Sequence, residues 1–110
     1  MEKFVKGDVV VVPFPFSDLT ASKRRPALVL ASLDGDDLIL CQITSKAHKD
    51  KYAVSLTDKD FKEGRLKVDS MIRTNRLFTA DKMLILYKVG NVTDKKMDEV
   101  FEKLIDIFRS

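Results

Sequence analysis

The sequence holds one cysteine, Cys41, one histidine, His48, and no tryptophan in 110 residues. A lone cysteine cannot close a disulfide within the chain, and neither residue can build a cysteine or histidine metal centre. Zinc-ribbon, HExxH and Cys–His nucleophile chemistry are therefore excluded, and no metal and no cofactor is expected. A chain without disulfides suits a reducing compartment, so a cytoplasmic location is expected. Long apolar runs are also missing. Near the start there is only Val9–Val12, cut short by Pro13 and Pro15. That predicts neither a signal peptide nor a transmembrane helix, and no membrane partner. Cys41 lies inside the apolar run Leu38–Ile43 and reads as a small buried hydrophobe. His48 lies in the polar stretch Lys46–Lys51 and reads as a solvated loop residue.

An excess of one charge is lacking too. Twenty Lys and Arg face 17 Asp and Glu, a net charge of +3. This excludes a histone-like polycation and an acidic tail protein, and directs attention to where the charge lies. The segment Asp34-Gly35-Asp36-Asp37 carries three acids, and the chain from Met83 onward balances at five charges of each sign. The positive excess belongs to Lys23-Arg24-Arg25 and to the stretch Lys46–Lys82, with ten basic and six acidic residues.

What is present is a globular chain, 45% hydrophobic, of a length expected to form one domain over residues 1–110. Val9–Pro13 is β-branched throughout its apolar part and predicts a strand buried on both faces. Pro26–Ala31 and Leu38–Thr44 are further apolar strands, separated by the turn signal Asp34-Gly35. Phe14–Phe16 should stay extended, and Ser17–Lys23 should be a polar loop. Tyr52–Leu56 suits a strand, and Asp58–Gly64 a turn or one helical turn. Leu66–Thr74 alternates as a half-exposed strand does, and Met83–Val89 predicts one more, closed by Gly90-Asn91. Met97, Val100, Phe101, Leu104, Ile105 and Phe108 form one stripe of a helix, with Thr93 as its N-cap and Val92 packing on Met97. Lys96 stands where a capping box would place Glu or Gln. The expected fold is mainly β with helix (α+β): a small curled sheet or barrel with an amphipathic C-terminal helix over its core.

A short turn between the second and third strands implies an antiparallel hairpin. In a register whose paired positions sum to 69, Arg25 stands opposite Thr44 on one face. Their Cβ atoms would then be about 4.5–5.5 Å apart. A slip of one residue would send them to opposite faces. Pro26 biases Arg25 toward extended geometry. An arginine beside a hydroxyl, next to two more cations, suits a phosphate, because guanidinium binds phosphate oxygens through two parallel hydrogen bonds. Such donors act most strongly where negative charge builds in a phosphoryl transition state.

Read in order, Gly7-Asp8-Val9-Val10, Lys23-Arg24-Arg25-Pro26-Ala27-Leu28-Val29-Leu30, Gln42-Ile43-Thr44-Ser45-Lys46, Asp69-Ser70-Met71-Ile72 and Thr79-Ala80-Asp81 span nearly the whole chain. Together with the terminal helix they make it resemble the MazF/PemK (Kid) toxins of type II toxin–antitoxin systems. The resemblance implies a small SH3-like barrel of the CcdB/PemK type and a homodimer. It also implies metal-independent cleavage of single-stranded RNA, in which the 2′-hydroxyl attacks the adjacent phosphate. The products are a 2′,3′-cyclic phosphate and a 5′-hydroxyl, so DNA is not a substrate. A cognate antitoxin is implied as partner, with DNA reached only indirectly through the toxin–antitoxin complex. The family's catalytic arginine before proline falls on Arg25, and its catalytic threonine on Thr44. Lys23, Arg24, Ser45, Lys46, Arg73 and Asn75 are the candidate RNA contacts, and Phe14 and Phe16 are candidates for stacking on bases or for the core.

There are departures. Kid-type members use an Arg-x-Asp pair where this chain reads Arg73-Thr74-Asn75. They place a histidine in the first loop, and Phe14–Arg24 has none. A guanidinium has a pKa above about 12 and is an awkward base. Arg25 is therefore assigned to clamping phosphate and protonating the leaving oxygen, with His48 as the candidate base at neutral pH. Two alternatives stand beside the nuclease: a gyrase-binding toxin of the CcdB type, and an inactive regulatory binding module. CcdB-like proteins depend on a C-terminal Trp-Gly-Ile, whereas this sequence ends Phe108-Arg109-Ser110.

Overall fold

The computed structural model describes residues 3–14, 23–46 and 50–110. The expectations for Phe16, for the polar loop that follows it and for His48 fall outside them. Among the described residues, seven strands form one antiparallel sheet: β1 (Asp8–Phe14), β2 (Lys23–Ser32), β3 (Asp37–Thr44), β4 (Ala53–Leu56), β5 (Phe61–Gly64), β6 (Ser70–Asp81) and β7 (Tyr87–Val92). Their spatial order is β4-β6-β3-β2-β1-β7-β5. The sheet curls into a half-barrel, and one helix, α1 (Asp94–Arg109), follows the last strand. The two outermost strands, β4 and β5, have four residues each, and short edges limit unwanted pairing with other chains.

The valine run explains the centre. Val9–Val12 are each at most 7% exposed, because β1 is flanked by β2 and β7 and covered on both faces. Alternation divides the interior in two. Val9, Leu28, Leu30, Cys41, Ile43 and Ile72 pack on one face with Met97, Val100 and Leu104 of α1. Val10, Val12, Ala27, Val29, Leu38 and Leu40 form the other cluster, with Phe4 and Ala80. Cys41 is fully buried, and burial pushes its thiol up to about 12. It is packing material, as expected, and a poor nucleophile.

α1 starts where its cap predicts. The Thr93 hydroxyl accepts the Lys96 backbone N–H at 3.2 Å, and Val92 and Met97 share the first cluster. Lys96, in the position of a capping-box acid, is nearly buried. Its ammonium lies 2.8 Å from Glu99 and 3.6 Å from Asp60, so it ties the helix to the chain before β5. The apolar stripe covers the core only over its first turns. Ile105 is 49% and Phe108 71% exposed. Among the described residues no helix is long and apolar enough to cross a membrane.

Three sequence expectations shift. Asp58–Gly64 does start with one helical turn, of 3₁₀ type, over Asp58–Asp60, but an unexpected strand, β5, follows it. The turn forms because Asp60 accepts the Thr57 N–H at 2.8 Å. β5 can reach β7 because Gly64 and Gly90 face each other. A Cβ on Gly64 would run into the Val89 carbonyl oxygen, and one on Gly90 into that of Glu63. The strand expected over Leu66–Thr74 begins at Ser70 and runs to Asp81. Its continuation is masked in sequence by Thr74, Asn75 and Arg76, which bulge between the pairs Gln42↔Arg73 and Cys41↔Leu77. The buried Thr74 hydroxyl pins that bulge by donating to the Tyr52 carbonyl at 2.6 Å. The strand expected over Met83–Val89 is displaced to Tyr87–Val92, with Gly90-Asn91 inside it. A 3₁₀ turn occupies Lys82–Leu84, held where Asp81 accepts the Met83 N–H at 2.8 Å.

A smaller irregularity sits in the hairpin of β2 and β3. Near the turn, Ser32 pairs with Leu38 and Ala31 with Ile39; beyond it, Val29 pairs with Leu40, Leu28 with Cys41 and Ala27 with Gln42. Leu30 is the extra residue of a β-bulge.

Candidate nucleic-acid interface and catalytic pair

The open end of that hairpin gathers the basic run. Lys23, Arg24 and Arg25 pair with Phe14, Pro13 and Val12 of β1. On the other side, continuing the β2–β3 ladder two steps past Ala27↔Gln42 sets Arg25 opposite Thr44. This is the register summing to 69, and it turns both side chains to the face that carries Ala27 and Gln42. Arg25 and Thr44 are each half-buried. The Lys46 backbone N–H donates to the Thr44 hydroxyl oxygen at 3.2 Å. With its oxygen engaged by an N–H, the Thr44 O–H is left to donate outward.

Two cavities meet at this pair. The first, about 300 Å³, opens on the Arg25 face and includes Gln42, Lys46, Arg73 and the rings of Phe14 and Phe78. The second, about 500 Å³, lies toward the opposite face, among Val11, Leu66, Val68, Tyr87 and Val89. Arg25, Pro26, Ile43 and Thr44 border both. The cations of the second are Arg24, Arg65 and Lys67, with Arg25 at the shared wall. Among the described residues, no carboxylate lines either cavity. Arg73 reaches the first from β6. Its side chain is 18% exposed, its Nη2 lies 3.9 Å from Asp50 Oδ2, and its Nε is buried without a hydrogen-bond partner. A buried N–H donor left unmatched is a group that a ligand oxygen would satisfy.

Of the expected RNA contacts, Arg24 and Ser45 line the second cavity, and Lys46 and Arg73 the first. Lys23 and Asn75 line neither. Lys23 is exposed at the tip of β2, and the bulge of β6 leaves Asn75 exposed. Sequence reading passed over Gln42, Phe78, Arg65, Lys67 and Tyr87. Arg65 and Lys67 belong to the basic middle stretch, whose excess was the available signal. Gln42 and Phe78 gave none, because only the ladder of β3 with β6 brings them near Arg25. No three His, Cys, Asp or Glu among the described residues cluster so as to hold a metal ion.

The family model for the PemK-like, MazF-like toxin of type II toxin–antitoxin systems matches residues 5–108. The chain belongs to this family. Solved structures agree on the MazF-like fold. An endoribonuclease from Mycobacterial species, in complex with its cognate antitoxin, superposes with a TM-score of 0.77 at 14% identity, over 97% of this chain and 96% of the other. MazF from Deinococcus radiodurans gives a TM-score of 0.76 at 21% identity, over 100% of both chains. The MazE–MazF complex from the same organism gives 0.75 at 20% identity, over 98% of this chain and 97% of the other. No curated protein matches the sequence. The curled sheet and terminal helix of this MazF-like toxin are thus the family's fold, and its Arg25–Thr44 pair sits at the rim of the half-barrel.

Proposed function

We propose that the protein is a metal-independent, sequence-selective endoribonuclease that cleaves single-stranded RNA. The observation that carries this reading is the Arg25–Thr44 pair on one face of the hairpin, between two cavities lined by cations and by no carboxylate among the described residues. Mg²⁺ and Ca²⁺ need oxygen ligands, usually carboxylates, so such a cleft suits a phosphate better than a metal ion. In the reaction, the 2′-oxygen attacks phosphorus as the bond to the 5′-oxygen breaks. The 2′-hydroxyl gives its proton to water, and the 5′-oxygen takes one from Arg25, which regains it from water. Arg25 grips the non-bridging oxygens and neutralises the charge that grows on them, and Thr44 donates to one of them. Lys46 and Arg73 extend the positive field along one side, and Arg24, Arg65 and Lys67 along the other. Among the described residues the lining holds neither carboxylate nor imidazole, and the rate enhancement these residues supply is electrostatic stabilisation.

The reading includes a cytoplasmic homodimer, and restraint by a cognate antitoxin; the antitoxin-bound relatives support the last of these. The test is incubation of the protein with a long single-stranded RNA in EDTA, with the new ends mapped. Cuts at a short recurring sequence, bearing 2′,3′-cyclic phosphate and 5′-hydroxyl ends, are expected. RNA left intact over a wide range of protein concentration would sink the proposal.

A further inference from the structure

The cavity on the Arg25 face has a composition that phosphate binding alone does not require. Its far wall is aromatic: the Phe14 and Phe78 rings lie 5.5 Å apart, centroid to centroid, tilted by 58°. Gln42, half-buried on β3, also lines it, in the same cross-strand row as Ala27 on one side and Arg73 on the other. No hydrogen bond engages the Gln42 side-chain amide among the described residues. Ala27 is too small to cover it. Gln42 and Thr44 are two residues apart on one strand and point the same way, so they are separated by about 6.7 Å. That spacing places an amide one nucleotide unit from the phosphate clamp.

A half-buried amide with a free donor and a free acceptor is what reads the edge of a base. Glutamine can offer both groups to one base edge at once, and single-stranded RNA presents its Watson–Crick edges for this. An apolar aromatic wall accepts the base's flat face with little regard to sequence. The second cavity differs: apart from its cations, the hydroxyls of Thr44, Ser45 and Ser70 and the phenol of Tyr87, its lining is aliphatic. Nothing in it matches the Gln42 amide as a paired donor and acceptor.

We infer that Gln42 is a specificity-determining residue, which reads the base beside the scissile phosphate in the cavity walled by Phe14 and Phe78. This inference rests on the ribonuclease reading. The experiment uses the full chain and a set of short single-stranded RNAs that differ only in the base on either side of the preferred cut. In Gln42→Leu, which keeps the volume and removes the amide, discrimination at one of the two flanking positions is expected to fall by about tenfold. Discrimination at the other stays as it was. In Gln42→Glu, which keeps an acceptor and loses the donor, the preference at that position moves toward bases presenting an amino group. Thermal unfolding of each variant, followed alongside, separates lost reading from lost folding, and a ratio of rates on paired substrates is insensitive to the fraction folded. Cleavage by both variants with the same base ranking as the unaltered chain overturns the inference and leaves the nuclease reading standing. No cleavage by the unaltered chain overturns both.

Discussion

The two ends of the β2–β3 hairpin carry opposite charge. At the turn, Asp34, Asp36 and Asp37 are exposed, and Lys82 reaches Asp36 at 3.1 Å. At the open end lie Lys23, Arg24 and Arg25, with Lys46 and Arg73 close by. Both ends have a cleft: the one at the turn holds about 420 Å³ and is bordered by the three aspartates. Volume therefore does not distinguish them, whereas sign does. Eight residues of strand separate the ends by roughly 25 Å. That is about three Debye lengths at physiological salt, so each end acts on an anion almost independently of the other. A net charge of +3 averages two regions that a phosphate chain would experience as attraction and repulsion.

The comparison can be broken by variants at either end. The largest effect is expected at Arg25. Arg25→Ala removes the proposed phosphate clamp and should lower the cleavage rate by about 10²–10³ fold, measured under single-turnover conditions on one RNA. A rate within threefold of the unaltered chain would mean that the chemistry lies elsewhere. Thr44→Ala removes one neutral donor, and a loss of about tenfold is expected, with the RNA-binding constant nearly unchanged in a titration with uncleavable substrate. At the other end, Asp36→Asn should leave cleavage unaltered. Its ion pair with Lys82 is well exposed, so stability should change by no more than about 1 kcal/mol in a denaturant titration. A large gain or loss of cleavage there would show that the ends are coupled after all.

Much of the centre was legible from local chemistry. A four-valine run suits only a strand covered on both faces, the Asp34-Gly35 turn forces its flanks together, and Thr93 marks the helix start. The proposed catalytic pair was legible only for one register of the hairpin; the ladder adopts that register at Ala27↔Gln42 and, continued two steps, sets Arg25 opposite Thr44. The periphery was less legible, because long-range partners decide it. β5 is a charged tetrapeptide that becomes a strand through close approach of Gly64 to Gly90. β6 runs through a polar bulge because Thr74 finds a carbonyl on a distant segment. The last turn of α1 carries the helical period but leaves Phe108 uncovered. In the candidate site, Arg25 and Thr44 announced themselves by type. Gln42 and Phe78 look like ordinary strand residues until the sheet is assembled.

The extra residue at Leu30 acts as a phase shifter. Counted outward from the turn, paired positions sum to 70, a phase that would set Arg25 against Ser45 and turn it away from Thr44. One added residue, five positions from Arg25 and buried in the core, moves the count to 69 and brings the pair into line. The alignment thus depends on the bulge rather than on the identity of the turn residues; removing the extra residue outright would run Ala31↔Ile39 straight into Val29↔Leu40 and keep Arg25 opposite Thr44. Pairing Leu30 with Leu40 in a regular ladder would leave both side chains and the number of residues unchanged, yet put the proposed clamp and the hydroxyl out of step.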